Sequence, residues 1–180
     1  MKRWLRHNWI GLIAVAVLLP ATVGITFATQ WTSYFSGRDS APVSVAKNTD
    51  FGFSTAEWRF ESGERITADS PEGQRIGLPP ETALVVVTVR ITPDGSPESP
   101  GCLVRLEELD RGADSRSWAE STYDPIDYSP TDGTQTYCPT DTTEPYVLES
   151  TFVVPADAVD GLGLSIVVPG ELPRYLSFRL

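Results

Sequence analysis

Cysteine is the residue type whose number and spacing are most informative here. Cys102 and Cys138 are the only cysteines in the 180 residues. They lack a C-x-x-C spacing, and Cys138 lies in Tyr-Cys-Pro with no basic neighbour to favour a reactive thiolate. In a domain that leaves the cytoplasm, a pair of cysteines predicts one disulfide rather than a reactive thiol pair. On the chain-entropy model, such a bridge contributes roughly 3–4 kcal/mol.

Groups suited to acid–base and nucleophilic catalysis are scarce. His7 is the only histidine, so Ser-His and Cys-His pairs and histidine-ligated zinc are unavailable beyond the N-terminal segment. Lys47 is the only lysine after Lys2. A carboxylate pair as in glycosidases is formally available, but among 24 acidic residues close pairs arise by chance. The sequence therefore predicts that the protein is not an enzyme and has no catalytic residues.

Acidic residues also bind calcium, and calcium loops need them at a defined spacing. The densest group has no D-x-[DN]-x-[DN]-G pattern; it comprises Asp124, Asp127, Asp132, Asp141 and Glu144. Glycine-rich phosphate loops are absent as well. We expect a solvated acidic surface with no metal and no cofactor. A calcium-dependent binder or a carboxylate hydrolase is the remote alternative.

Charge divides the chain into a short basic tip and an acidic body. The first 37 residues hold Lys2, Arg3 and Arg6 and no acid, whereas residues 38–180 hold eleven bases and all 24 acids, a net charge of −13. An acidic body opposes binding to nucleic acid and to anionic lipid surfaces. The asymmetry is typical of a protein oriented across a membrane.

An uncharged, apolar stretch follows the basic tip. No charged residue lies between Asn8 and Gly37, and a helix over residues 9–31 would rise roughly 33 Å, enough for a hydrocarbon core of ~30 Å. Trp9 and Trp31 would then lie at the two interfaces. Because the bases precede the span, the positive-inside rule predicts residues 1–8 in the cytoplasm and the body outside, at the cell membrane.

A cleaved export signal is the alternative interpretation of this stretch. It would share the basic start and the apolar run, and Thr26-Phe27-Ala28 is a passable but poor cleavage site. The product would be a secreted, soluble protein.

The body has many short strand signals separated by turn residues. We predict a spacer over 32–50, in which Val43 and Val45 can begin a first strand, and a domain over 51–180. Phe51–Phe53 and Ala56–Phe60 differ in inward parity, which predicts a bulge or break near Ser54. Alternating apolar residues predict further strands, namely Thr82–Ile91 (central), Cys102–Leu109, Tyr146–Val154 with Glu149 and Thr151 outward, Leu162–Val168 and Arg174–Leu180.

Short strands without covering helices favour an all-β fold. The pattern predicts an antiparallel β-sandwich, with a closed β-barrel as the alternative. Pro155–Gly161 is predicted to form one short helical turn. The irregular segment 110–145 has eight acids and two bases; Trp118 within it is predicted to reach the core on a short strand.

The strand TALVVVTVRI with its turn-rich loop, and the later stretch STFVVPADAVDGLGLSI, resemble small immunoglobulin-like domains of unknown function. Such domains occur, membrane-anchored or lipid-anchored, in Gram-positive and especially actinobacterial cell envelopes. The resemblance implies an extracytoplasmic interaction module and supplies no ligand or site residue. Together these features predict a non-enzymatic, single-pass accessory protein that binds another envelope protein and no nucleic acid.

Overall fold

The fold was obtained as a computed structural model. The structure describes residues 2–96, 101–110, 115–121, 126–158 and 161–180, without the side chains of residues 2–7, 29 and 35. The chain divides into two units, Met1–Arg38 and Asp39–Leu180, and each is described by itself.

The first unit is one long apolar helix. Helix α1 spans Lys2–Ser36, and within it Asn8–Tyr34 is long and apolar enough to cross a membrane, a property that a signal sequence shares. Trp9 and Trp31 are 57% and 65% exposed. The hydroxyl groups of three threonines donate hydrogen bonds to carbonyl oxygens four residues earlier, so they leave no unsatisfied donor on the apolar surface; these are Thr22, Thr26 and Thr32.

The second unit contains nine strands and two short helical segments in its described part. In chain order these are β1 Ala41–Val45, β2 Phe51–Phe53, β3 Ala56–Thr67, α2 Pro71–Arg75, β4 Thr82–Pro93, β5 Leu103–Glu108, β6 Ser117–Ala119, β7 Tyr146–Pro155, β8 Leu162–Val167, a 3₁₀ turn Pro169–Glu171 and β9 Arg174–Arg179.

These strands form two stacked sheets rather than the closed barrel held as the alternative. One sheet has the order β1-β9-β8-β5-β6 and the other the order β2-β3-β4-β7. The prediction of a β-sandwich is thus confirmed. Neighbouring strands are antiparallel except at one edge, where β1 runs parallel to β9 and Ala41 is aligned with Arg174.

The first strand lies inside the region predicted as a spacer. Val45 is buried and Val43 packs against the main core, so Ala41–Val45 is bound into the sheet. The second unit accordingly begins at Asp39, where the sequence predicted a domain from residue 51. Two apolar side chains two positions apart, on the same face of the chain, are the physical reason for this difference.

Alternate residues of the central strand β4 face two different apolar clusters. Val85, Val87 and Val89 face the main core between the sheets, together with Trp58 and Phe152. Leu84 and Val86 face the outer side of the four-stranded sheet, where they form a second cluster with Ile66, Ile76 and Leu78. Both faces of β4 are therefore covered, as expected of its continuous apolar sequence.

Helix α2 covers the second cluster and was not predicted. Ser70 accepts a hydrogen bond from the Gly73 amide at 3.0 Å, and Pro71 occupies the first turn, so the helix has the capping chemistry of an N-terminus. A Cβ on Gly73 would lie 2.0 Å from the Thr67 carbonyl oxygen. Glycine thus permits the close packing of α2 on the end of β3.

The break predicted near Ser54 is confirmed, because β2 ends at Phe53 and β3 begins at Ala56. Ser54 has a φ of 56° in the turn of this β2–β3 hairpin. A register shift lies further on, between Phe60 and Ser62. Strand β3 also continues to Thr67 through the polar stretch ESGER. The helical turn predicted over Pro155–Gly161 is wrong for the described residues of that stretch, which contain a turn and no helix. Residues 159 and 160 lie outside the described part.

Candidate functional site

Part of the irregular segment covers the free edge of β7. The Gln135 amide donates to the Val147 carbonyl and the Glu149 amide donates to the Gln135 carbonyl, both at 2.8 Å. Further along, the Ser121 amide donates to the Thr151 carbonyl at 2.7 Å. These bonds occupy backbone groups that an edge strand otherwise exposes, and they fold residues 126–136 over the outer face of the sheet.

Glu149 becomes a buried carboxylate as a result. The strand alternation correctly turns it away from the main core, but it was predicted to face solvent and is only 2% exposed. Its Oε1 accepts a hydrogen bond from the Tyr128 hydroxyl at 2.9 Å. The Thr131 amide lies 3.2 Å from both carboxylate oxygens. These donors come from residues 126–136, which we call the covering segment. Glu149 therefore holds the covering segment against the sheet.

A cavity of about 170 Å³ lies beside Glu149. Its walls combine two carboxyl groups with hydroxyl and apolar groups from the residues after β6, from the covering segment and from β7; they are Glu120, Ser121, Ile126, Tyr128, Pro130, Thr136, Glu149 and Thr151. Pro130 and Thr136 are exposed, so the cavity opens to solvent on their side. We call this space the Glu149 cavity.

Burial perturbs two ionisable groups at this cavity. It raises the pKa of Glu120, and the nearby Ser150 hydroxyl partly opposes that shift. The pKa of Tyr128 is raised strongly, first by burial and then by its hydrogen bond to Glu149 and the charges of Glu64 and Glu72. The Tyr128 hydroxyl therefore keeps its proton and can donate a hydrogen bond across the physiological pH range. Neither shift reflects a nearby cation.

A second, more polar cavity of about 410 Å³ lies on the other side of Tyr128. It includes Glu64, Glu72, Arg75 and Asp127. Arg75 Nη2 lies 3.3 Å from Glu72 Oε1, so this arginine already has an anionic partner on the same short helix. Most of this wall is exposed, and it carries no buried charge.

The predicted disulfide partners are brought together. Cys102 and Cys138 are at disulfide distance, with their Cα atoms 5.5 Å apart. Cys138 is buried and Cys102 packs against the main core. The pair connects the residue before β5 with the residues that follow Gln135, and so holds the later part of the irregular segment to the start of β5.

The remaining candidates from the sequence are Trp118 and the acids considered for calcium. Trp118 lies on β6, half-buried against the main core, with the Arg116 guanidinium 5.5 Å from its ring centre. Among the five acids considered for calcium, Asp124 lies outside the described residues. Within the described residues, no group of three or more His, Cys, Asp or Glu side chains could hold a metal ion.

Comparison with known proteins shows one structural similarity. A solved structure described as an uncharacterized β-sandwich protein from Clostridium difficile 630 is similar at a TM-score of 0.45 and 10% sequence identity, over 79% of this chain and 96% of that chain. No protein-family model matches the chain, and no curated protein matches it.

Sequence reasoning missed the Glu149 cavity because its walls come from segments far apart in the chain. One signal for it was available. No lysine, arginine or histidine occurs from residue 117 to residue 173, a stretch with ten acids. A carboxylate that becomes buried within that stretch has no basic residue nearby in the sequence with which to pair, so its burial is unusual.

The raised pKa of Glu120 predicts a pH-dependent effect of Glu120→Gln on stability. A carboxyl whose folded pKa is above its unfolded value lowers stability as pH rises through and above the unfolded value of 4.5. We expect the variant to be more stable than the parent at pH 7 and equal to it near pH 4, as measured by thermal unfolding at both values. Glu144→Gln, at an exposed acid of the same segment, is the control. An equal gain from both variants would attribute the effect to general charge repulsion.

Proposed function

We propose that this is a non-enzymatic, single-pass membrane protein that presents an acidic β-sandwich on the extracytoplasmic side of a cell envelope, where it binds another envelope protein. The observation that carries the proposal is that one chain contains both an uncharged, exposed helix, Asn8–Tyr34, and a separate compact β unit that begins at Asp39. A helix of that length and composition stabilises itself by burial in lipid. The three bases that precede it favour a cytoplasmic start.

The same proposal includes an immunoglobulin type of sandwich. In that fold, strands B and E are neighbours in one sheet and strands C, F and G form the other. The pairing of β4 with β7, and the order β9-β8-β5, correspond to those neighbours. This correspondence supports the resemblance drawn from the sequence. Domains of this type commonly serve recognition, since their loops and edges tolerate variation.

The proposal that the protein binds rather than catalyses rests on its chemistry. The compact unit contains no histidine and a single lysine, Lys47. Lys47 Nζ lies 5.8 Å from the centre of the Phe60 ring, away from the Glu149 cavity. Glu149 is held by Tyr128 and Thr131 in a hydrogen-bonded arrangement that suits a fixed charge better than a proton-transfer group.

Retention of the helix is tested by the mass and partitioning of the native protein. We expect the full-length chain to enter the detergent phase and Ala28→Leu, which blocks the best cleavage site, to change nothing. Ala14→Leu is the matched control inside the helix. Recovery of a water-phase product that begins at residue 29, and its loss in Ala28→Leu, would favour the secreted alternative.

Partner binding is tested by crosslinking in intact membranes before solubilisation. We expect a reproducible adduct with one other envelope protein, formed on the extracytoplasmic side. Exclusive recovery of the free monomer would count against the interaction role while leaving the anchoring result standing.

A further inference from the structure

Glu149 is a buried carboxylate that forms no ion pair with any described residue. It is 2% exposed, and its side-chain partners are the neutral donors of Tyr128 and Thr131. The arginine that lines the adjoining cavity, Arg75, pairs with Glu72. Buried carboxylates are usually paired with a cation because loss of hydration is costly. The charge of Glu149 is therefore only partly compensated by the described residues.

The carboxylate also keeps acceptor capacity. Oε1 accepts from two donors, whereas Oε2 accepts only the shared amide of Thr131. An ionised carboxylate offers about four acceptor positions, so Oε2 has room for at least one more donor. The Glu149 carboxylate at this cavity is thus incompletely satisfied.

We propose that the Glu149 cavity binds a guanidinium group, supplied by an arginine side chain of the partner protein. This inference rests on the proposed interaction role and names the chemistry of its contact. A cavity of about 150 Å³ accommodates benzene, with its six heavy atoms. A guanidinium with two methylenes also has six heavy atoms, and the Glu149 cavity measures about 170 Å³.

Guanidinium matches the walls better than other cations do. Its planar fork supplies several donors to the two carboxyl groups at once, and it is less strongly hydrated than an ammonium. The ring of Tyr128 suits a delocalised plane, and the apolar surfaces of Ile126 and Pro130 suit an aliphatic stem. A metal ion would need more ligands than the described residues assemble. None of the described residues that line the cavity is basic, so a partner would supply the cation.

The test uses ethylguanidinium as the probe and ethylurea as its neutral, nearly isosteric control. Both are titrated into the full chain in detergent micelles at low salt, and binding is measured by ligand-observed saturation-transfer NMR. We expect ethylguanidinium to bind at least tenfold more tightly than ethylurea, a difference of about 1.4 kcal/mol or more. Protein-observed shifts of the Tyr128 ring would place the probe in the cavity.

Variants separate the cavity from general acidity. Glu149→Gln should weaken ethylguanidinium binding at least tenfold, and Thr136→Phe should block the mouth of the cavity without removing a charge. Glu144→Gln, at an exposed acid, should change binding less than twofold. Far-ultraviolet circular dichroism of each variant checks that it is folded, and the Thr136→Phe result decides the matter if Glu149→Gln unfolds.

Three results would overturn the inference: equal binding of ethylurea and ethylguanidinium, equal losses in Glu149→Gln and Glu144→Gln, or unchanged binding in Thr136→Phe. These outcomes are independent of membrane retention, because a chain cleaved after residue 28 keeps every wall of the cavity. A failed partitioning experiment and a failed titration therefore identify different errors.

Discussion

Replacement of Trp58 by alanine is expected to lower the free energy of unfolding of the β-sandwich by about 3–5 kcal/mol. The indole is fully buried at 0% exposure, and its Nε1–H donates to the Phe53 carbonyl oxygen at 2.9 Å. Alanine removes the largest buried side chain and leaves a cavity between the sheets. It also leaves a buried carbonyl without that donor, which adds to the cost. Against a typical stability of about 5–15 kcal/mol, such a loss is severe.

Thermal and denaturant unfolding of the full chain in detergent, followed by near-ultraviolet circular dichroism, measures this effect. Trp58→Phe keeps most of the ring and loses the N–H donor, so it should cost about 1–2 kcal/mol. Tyr137→Ala, at an aromatic residue that is 63% exposed, should stay within about 0.5 kcal/mol of the parent. A loss in Tyr137→Ala as large as that in Trp58→Ala would contradict the placement of Trp58 in the core.

Loss of the bridge between Cys102 and Cys138 is expected to have the second largest effect. The cysteines are 36 positions apart, and the chain-entropy model gives roughly 3–4 kcal/mol for closing a loop of that size. The double variant Cys102→Ala/Cys138→Ala should therefore unfold at lower denaturant concentration. Most of the effect arises in the unfolded chain, because the enclosed segment is also held by Gln135 and by Glu149.

Reductant provides the matched control for this prediction. It should destabilise the parent to the level of the double variant and leave the double variant unchanged. Limited proteolysis should then cut first within residues 126–136, since that segment loses its covalent restraint. If the parent and the double variant unfold at the same denaturant concentration, the bridge contributes nothing to stability.

Much of the sandwich was predictable because its strands carry the period-two apolar pattern. Strands β4, β7, β8 and β9 are buried on alternate positions or throughout, and such patterns survive in the sequence. The second half of β3 was missed because its exposed edge residues are polar. Helix α2 has five residues, too few for a helical period, and its position depends on the close approach of Gly73 to Thr67.

The candidate site was beyond local pattern reading for a related reason. Alternation along β7 gives the side of the sheet on which Glu149 lies, and that part of the prediction was correct. Its burial depends on Tyr128 and Thr131, which arrive from a segment without regular strands. Contacts between irregular and regular segments leave no period in the sequence. Only the missing bases between residues 117 and 173 hinted at an unusual charge environment.

The parallel pairing of β1 with β9 sets the order in which the domain can be completed. Residues 41–45 are among the first of this unit to be synthesised, yet their hydrogen-bonding partners are residues 174–178. Long-range pairs form late because the intervening chain must first be ordered. Until β8 and β9 have been synthesised, β1 lacks the strand with which it pairs. The last strand thus closes the sheet edge, and a stalled or truncated chain would present β1 as an open template for misassembly.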